Sequence, residues 1–172
     1  MKNNKLKNVR LILFDVDGVL TDGSIIYSDS GEEIKMFNVR DGLGIRLLMK
    51  ADINVGVVTG RRSEALRHRC NNLGITLLYD GVRDKGAILN EIVDKTGCRL
   101  EDIAFLGDDL PDLPIMRKVG FSIAVADAHE SVIEQADMVT RAKGGGGAVR
   151  EVCEKILKSR GQWKQLTDQL FG

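Results

Sequence analysis

Apolar residues along this chain fall into short unbroken runs, separated by longer stretches in which they recur every three or four positions. The runs at 9–15, 54–58, 75–79, 103–106 and 121–124, with a shorter one at 138–140, have the length of buried strands. The stretches 42–51, 63–73, 85–96, 110–119, 130–135 and 148–159 have helical spacing. Strand and helix alternate, which predicts an α/β fold with a doubly wound, mainly parallel sheet. One interval breaks the alternation: residues 23–28 and 33–39 flank Asp29-Ser30-Gly31, the signature of a hairpin turn. A small β-hairpin flap over about 23–39 is therefore expected after the first strand, on the side of the sheet where that strand ends. Asp41 reads as the N-cap of the helix that follows. Lys143 and the glycines 144–147 read as a flexible loop before a last helix. The tail at about 160–172 carries Trp163, Leu166, Leu170 and Phe171, which are expected to dock on something, such as a neighbouring subunit.

The first strand ends in Asp15-Val16-Asp17-Gly18. Packing gives no reason to finish a buried strand with two carboxylates, because an unpaired buried charge is costly. The pair needs a cation, a proton or a reaction. It also lies at the carboxyl end of a strand, where open α/β sheets bind their ligands.

Composition narrows the classes. A chain of 172 residues, 43% hydrophobic, is expected to form a single domain over 1–172 with a substantial core. Lys plus Arg equals Asp plus Glu at 25 each, which argues against a nucleic-acid surface. No apolar run approaches the ~20 residues of a membrane span, and the polar Met1-Lys2-Asn3-Asn4-Lys5 shows no secretory leader. Cys70, Cys98 and Cys153 are scattered without metal-ligand spacing and read as reduced thiols of a cytoplasmic protein.

Three further motifs follow Asp15-Val16-Asp17-Gly18 at successive predicted strand ends: Thr59-Gly60-Arg61, Lys85 in Arg83-Asp84-Lys85-Gly86, and Gly107-Asp108-Asp109-Leu110-Pro111-Asp112. Each is weak alone. In this order the chain resembles the haloacid dehalogenase superfamily of aspartate-nucleophile phosphatases over about residues 9–140. The resemblance implies that Asp15 attacks phosphorus and that Asp17 serves as acid and then base. It implies that Thr59 and Gly60 hold phosphate oxygens and that Lys85 neutralises the anions. It implies Mg²⁺ as cofactor, held by Asp15, the Asp17 carbonyl and Asp108, with Asp109 and Asp112 ordering its waters. A receiver-type signalling domain uses similar groups, but its acidic pair follows the first strand and its phosphoacceptor the third. An acid/base beside the acceptor favours turnover.

The gaps between Asp17 and Thr59 and between Thr59 and Lys85 are too short for a cap domain, so a capless member is expected. The segments VLTDG, FNVRDGLGI, VVTGRRSE, RHRCNNLGI, GDDLPD, AVADAHESV and GGGGAVREV narrow the resemblance. They are similar to the capless branch that dephosphorylates the sugar acid 3-deoxy-D-manno-octulosonate (KDO) 8-phosphate in cytoplasmic lipopolysaccharide synthesis. That branch implies a homotetramer in which neighbouring subunits cover the site, and it places Arg61 and Arg69 at the anionic substrate. Arg62, Arg67 and His68 read as surface residues. A sister branch acts on a nine-carbon sugar-acid phosphate and has an acidic residue after Thr-Gly. Arg61 stands there in this chain and favours the eight-carbon substrate.

Overall fold

The computed structural model describes residues 2–171, with side chains described for 5–169. The strands are β1 (Leu11–Phe14), β2 (Ile26–Tyr27), β3 (Glu33–Ile34), β4 (Asn54–Val58), β5 (Leu77–Tyr79), β6 (Ile103–Gly107), β7 (Phe121–Ala124) and β8 (Met138–Val139). The helices are α1 (Lys2–Lys7), α2 (Val39–Lys50), α3 (Glu64–Leu73), α4 (Leu89–Thr96), α5 (Leu113–Met116), α6 (Glu130–Gln135), α7 (Ala148–Ser159) and α8 (Trp163–Phe171). Six parallel strands form one sheet in the order β5-β4-β1-β6-β7-β8, and β2 pairs antiparallel with β3 as a separate flap. The doubly wound α/β expectation, capless with a hairpin, is what the chain forms.

Side-chain alternation along β1 explains the layers. Ile12 and Phe14 join a core with residues of α2, α3 and α7, and Leu11 and Leu13 join a second core with residues of α4, α5 and α6. The chain winds outward from β1 through β4 to β5, then returns to the other side of β1 at β6. The switch point therefore lies between β1 and β6, whose carboxyl ends open the crevice that such sheets use for ligands.

Several boundaries differ from expectation, each for a local reason. α2 begins at Val39 because Asn38, not Asp41, is its N-cap: the Asn38 side chain accepts from the Arg40 amide at 2.8 Å. Asp41 instead crosses to α7, where it accepts from the Arg150 amide at 2.7 Å. It thereby replaces a side-chain cap that Gly147 cannot supply. The expected helix at 110–119 is a 3₁₀ turn, Leu110–Asp112, followed by the short α5. α1 was not expected; among its described side chains, Leu6 alone reaches the core.

The glycine run is also not a free loop. Gly144 is buried, a Cβ there would fall 1.6 Å from the Gly18 carbonyl oxygen, and the Gly145 amide donates to the Val19 carbonyl at 2.9 Å. The run is a wedge against the turn that carries Asp17. The tail forms α8 and docks on its own subunit. Leu166 is buried in the core, Trp163 packs against it, and Arg150 and Lys158 lie over the Trp163 ring, each 5.1 Å from its centre. The side chains of Leu170 and Phe171 lie outside the described residues.

Candidate active site

β1 is wholly buried, paired with β4 on one side and β6 on the other. Its last link is the Asp15 amide donating to the Leu106 carbonyl at 3.0 Å, after which the chain turns away. The amides of Val19, Leu20 and Thr21 all converge on the Val16 carbonyl. Gly18 makes this turn possible twice over. Its φ is +87°, and a Cβ would fall 2.1 Å from Asp108 Oδ2. No other residue lets the loop after β1 approach the carboxylate that follows β6 so closely.

Asp15 and Asp112 are buried and Asp108 is partly buried, and one oxygen of each lies within 4.8 Å of the others. Lys85, also buried, bridges two of them, with Nζ 2.8 Å from Asp15 and 2.6 Å from Asp112. Asp112 is saturated: its Oδ2 accepts from the Asp108 amide at 2.9 Å and the Asp109 amide at 3.4 Å. It buttresses the floor from behind. Asp109 is exposed and caps the 3₁₀ turn through the Leu110 amide. Asp108 Oδ1 is buried with no hydrogen-bond partner.

Three carboxylates against one ammonium leave an excess of negative charge. Burial, reinforced by Asp112, pushes Asp15 up to about 6. Burial, reinforced by Asp15 and Asp112, pushes Asp108 up to about 8. Burial opposes the charge of Lys85, but Asp15 and Asp112 outweigh it and hold the ammonium above its ordinary range. A hard divalent cation fits this place. It would give the orphaned Asp108 oxygen a partner and cancel the excess charge, and only oxygen donors converge there.

Asp17 faces a different environment. Its carboxylate is half-buried, paired with Lys35 of the flap, and 3.6 Å from Nε of Arg61. Arg61 also reaches Glu33 at 2.7 Å and the Tyr27 hydroxyl at 3.3 Å, both on the flap. Thr59 is buried at the end of β4, and its hydroxyl oxygen accepts from the Arg61 amide at 3.3 Å. That bond leaves the hydroxyl proton free.

Asp15, Asp17, Thr59, Gly60, Arg61, Lys85, Asp108 and Asp109 thus line one open cavity of about 470 Å³. Arg69 is not brought to it. Its guanidinium donates to the Asn38 carbonyl at 3.2 Å and lies over the Phe37 ring, behind the flap, because α3 runs away from the cavity after Ser63. Arg67 pairs with Asp80 at 2.8 Å, and Arg62 and His68 are exposed, as expected. Sequence reasoning missed Tyr27, Glu33 and Lys35. Charges on a short hairpin look like ordinary solvated charges, and their only signal was the flap's position over the strand ends.

The profile of haloacid dehalogenase-like hydrolases matches residues 78–152. The 3-deoxy-D-manno-octulosonate 8-phosphate phosphatase of Escherichia coli K12 is 48% identical over 165 residues, which cover 96% of this chain and 88% of that one. The crystal structure of the Yersinia pestis phosphatase of the same name is 49% identical, with a TM-score of 0.93 over 94% of this chain and 88% of that one. That of Moraxella catarrhalis, in complex with magnesium ion, phosphate ion and KDO, is 40% identical. Its TM-score is 0.96 over 98% of this chain and 97% of that one.

Proposed function

The chain belongs to the 3-deoxy-D-manno-octulosonate 8-phosphate phosphatases, a branch of the haloacid dehalogenase-like hydrolases, and from that premise we propose that it hydrolyses KDO 8-phosphate to KDO and inorganic phosphate. The observation that carries the reading is the division of labour between two carboxylates. Asp15 sits on the cationic side of Lys85 at the floor, and Asp17 sits in its own cation pair at the wall. One is placed to attack and the other to move a proton.

In the first half-reaction an Asp15 oxygen forms a bond to phosphorus as the bond from phosphorus to the sugar oxygen breaks. Asp17 gives its proton to that leaving oxygen. In the second half Asp17 takes a proton from water, the water oxygen bonds to phosphorus, and the bond to Asp15 breaks. Inorganic phosphate leaves, Asp15 returns as the carboxylate and Asp17 as the protonated acid. Thr59 and Gly60 grip phosphate oxygens, and Lys85 offsets charge on Asp15 and the phosphoryl group. Asp15, Asp108 and the Asp17 carbonyl would hold Mg²⁺, whose charge lets a carboxylate and a phosphate dianion meet. Asp109 and Asp112 order its surroundings.

Arg61, at the cavity mouth, suits the substrate's carboxylate. Arg69 supports the flap from behind. The reading includes a cytoplasmic place in lipopolysaccharide synthesis. No helix among the described residues is long and apolar enough to cross a membrane, in keeping with that place. It also includes a homotetramer whose neighbours cover the cavity. In support, Ile25, Tyr27, Ile34, Met36 and Val39 are exposed on and beside the flap, an apolar surface of the kind that interfaces cover.

Phosphate release with Mg²⁺ from KDO 8-phosphate, beside the nine-carbon sugar-acid phosphate and common sugar phosphates, tests the reading. A strong preference for KDO 8-phosphate is expected. Equal turnover of the whole panel would keep the phosphatase and remove the substrate.

A further inference from the structure

We propose that Lys35 of the flap is a positioning residue that holds the Asp17 carboxylate where it can exchange protons with the leaving oxygen and with water. The proposal rests on the acid/base role given to Asp17 above.

The carboxylates of the site are anchored in different ways. Asp112 is fixed by two main-chain amides and by Lys85. Asp17 receives no main-chain donor among the described residues; side chains alone hold its carboxylate. Of its two cations, Arg61 is the weaker restraint. Its side chain is 42% exposed, its nearest atom is 3.6 Å away, and its fork is turned to Glu33 and Tyr27. Lys35 makes the close contact, and its side chain is only 2% exposed.

A buried ammonium is costly unless it is paired. The partners of Lys35 are Asp17 and, at 3.5 Å, Glu33. A surface lysine needed for solubility would not be placed this way. Proton transfer needs the donor within about 2.6–3.2 Å of its acceptor, and an unrestrained carboxylate at the end of a turn samples several rotamers. Lys35 follows β3 directly, so the same contact that orients Asp17 also pins the flap to the catalytic turn.

The leaving group reads this role out. A sugar alkoxide must be protonated as it departs, whereas a nitrophenolate leaves without help. Lys35→Met should lower kcat for KDO 8-phosphate by ~10²-fold, with KM changed by less than about threefold. The first-turnover burst of nitrophenol from 4-nitrophenyl phosphate should stay near the parent rate. Lys35→Arg keeps the charge and should recover part of the loss. Asp17→Asn, measured alongside, calibrates the split. If Asp17→Asn slows both substrates alike, the acid/base reading itself fails. If Asp17→Asn splits them while Lys35→Met slows both alike, raises KM alone or changes nothing, Lys35 does not position Asp17. Should Lys35→Met not fold, the same comparison in Lys35→Arg decides, because its displaced donor must still produce the split.

Discussion

The floor of the cavity and the flap above it meet at Asp17, and they are built in opposite ways. Three residues of the floor follow buried parallel strands directly, so the main chain sets their positions. Asp15 follows β1, Thr59 follows β4 and Asp108 follows β6. The flap has two strands of two residues each and an exposed apolar surface, and it is attached through side-chain charges. In the mechanism proposed above, bond breaking falls to the rigid element, and proton handling relies on contact with a segment that has almost no core of its own. A floor of this kind suits any phosphate ester, and the flap side is where one substrate can be told from another.

The sharpest way to break this contrast is at the floor. Asp15→Asn should lower turnover of KDO 8-phosphate by about 10⁵-fold or more. The fold should survive, since the change removes a charge that burial already disfavours. Phosphate release and thermal melting check both halves, and a variant with substantial turnover would move the attacking group elsewhere. Gly18→Ala comes next. It forces a Cβ into Asp108 at a φ of +87°, so a loss of about 1–3 kcal/mol in stability is expected. The Mg²⁺ concentration for half-maximal rate should rise with it, and a parent-like titration would show that the turn can yield.

Arg61, which follows β4 and reaches up to the flap, should answer differently. Arg61→Ala is expected to raise KM for KDO 8-phosphate about tenfold, the worth of a charge-assisted hydrogen bond. KM for 4-nitrophenyl phosphate should hardly move, and equal effects on both would make Arg61 a structural residue.

A change of pH separates the regions without a substitution. Folded-state pKa values of Asp15 and Asp108 are raised to about 6 and about 8. The stability they contribute is complete below the ordinary carboxylate range near 4 and is lost as pH rises through those values. In chelator, the melting temperature should therefore fall between pH 5 and 8.5. Saturating Mg²⁺ should flatten that slope. A profile in chelator with no slope would contradict the burial of charge at the floor.

What could be read from the sequence divides along the same line. The apolar run before Asp15 announced a buried strand, and four motifs at strand ends announced the floor, because period and spacing are local properties. α7 was bounded correctly at Ala148–Ser159 for the same reason. The failures are residues whose partners are distant in sequence. Asp41 has the right type for a cap and is one, but of α7 rather than α2. The glycines 144–147 read as slack, whereas the lack of a side chain lets Gly144 press on Gly18 and Gly145 on Thr21 and Asp22. Lys35 is a further case: a hairpin lysine carries the close contact to Asp17, 18 residues away in sequence.

The wedge of Gly144 and Gly145 against the turn at Gly18 also has a consequence in time. During synthesis the turn bearing Asp15 and Asp17 leaves the ribosome early, and the segment that locks it emerges on the order of ten seconds later at usual elongation rates. Late in that interval, once Asp112 has emerged, the nascent chain carries every carboxylate of the floor but lacks the backing that shapes it. Competence therefore arrives as a late, abrupt event of translation. A messenger truncated before codon 144 would yield a chain with the whole set of reactive groups and no enzyme.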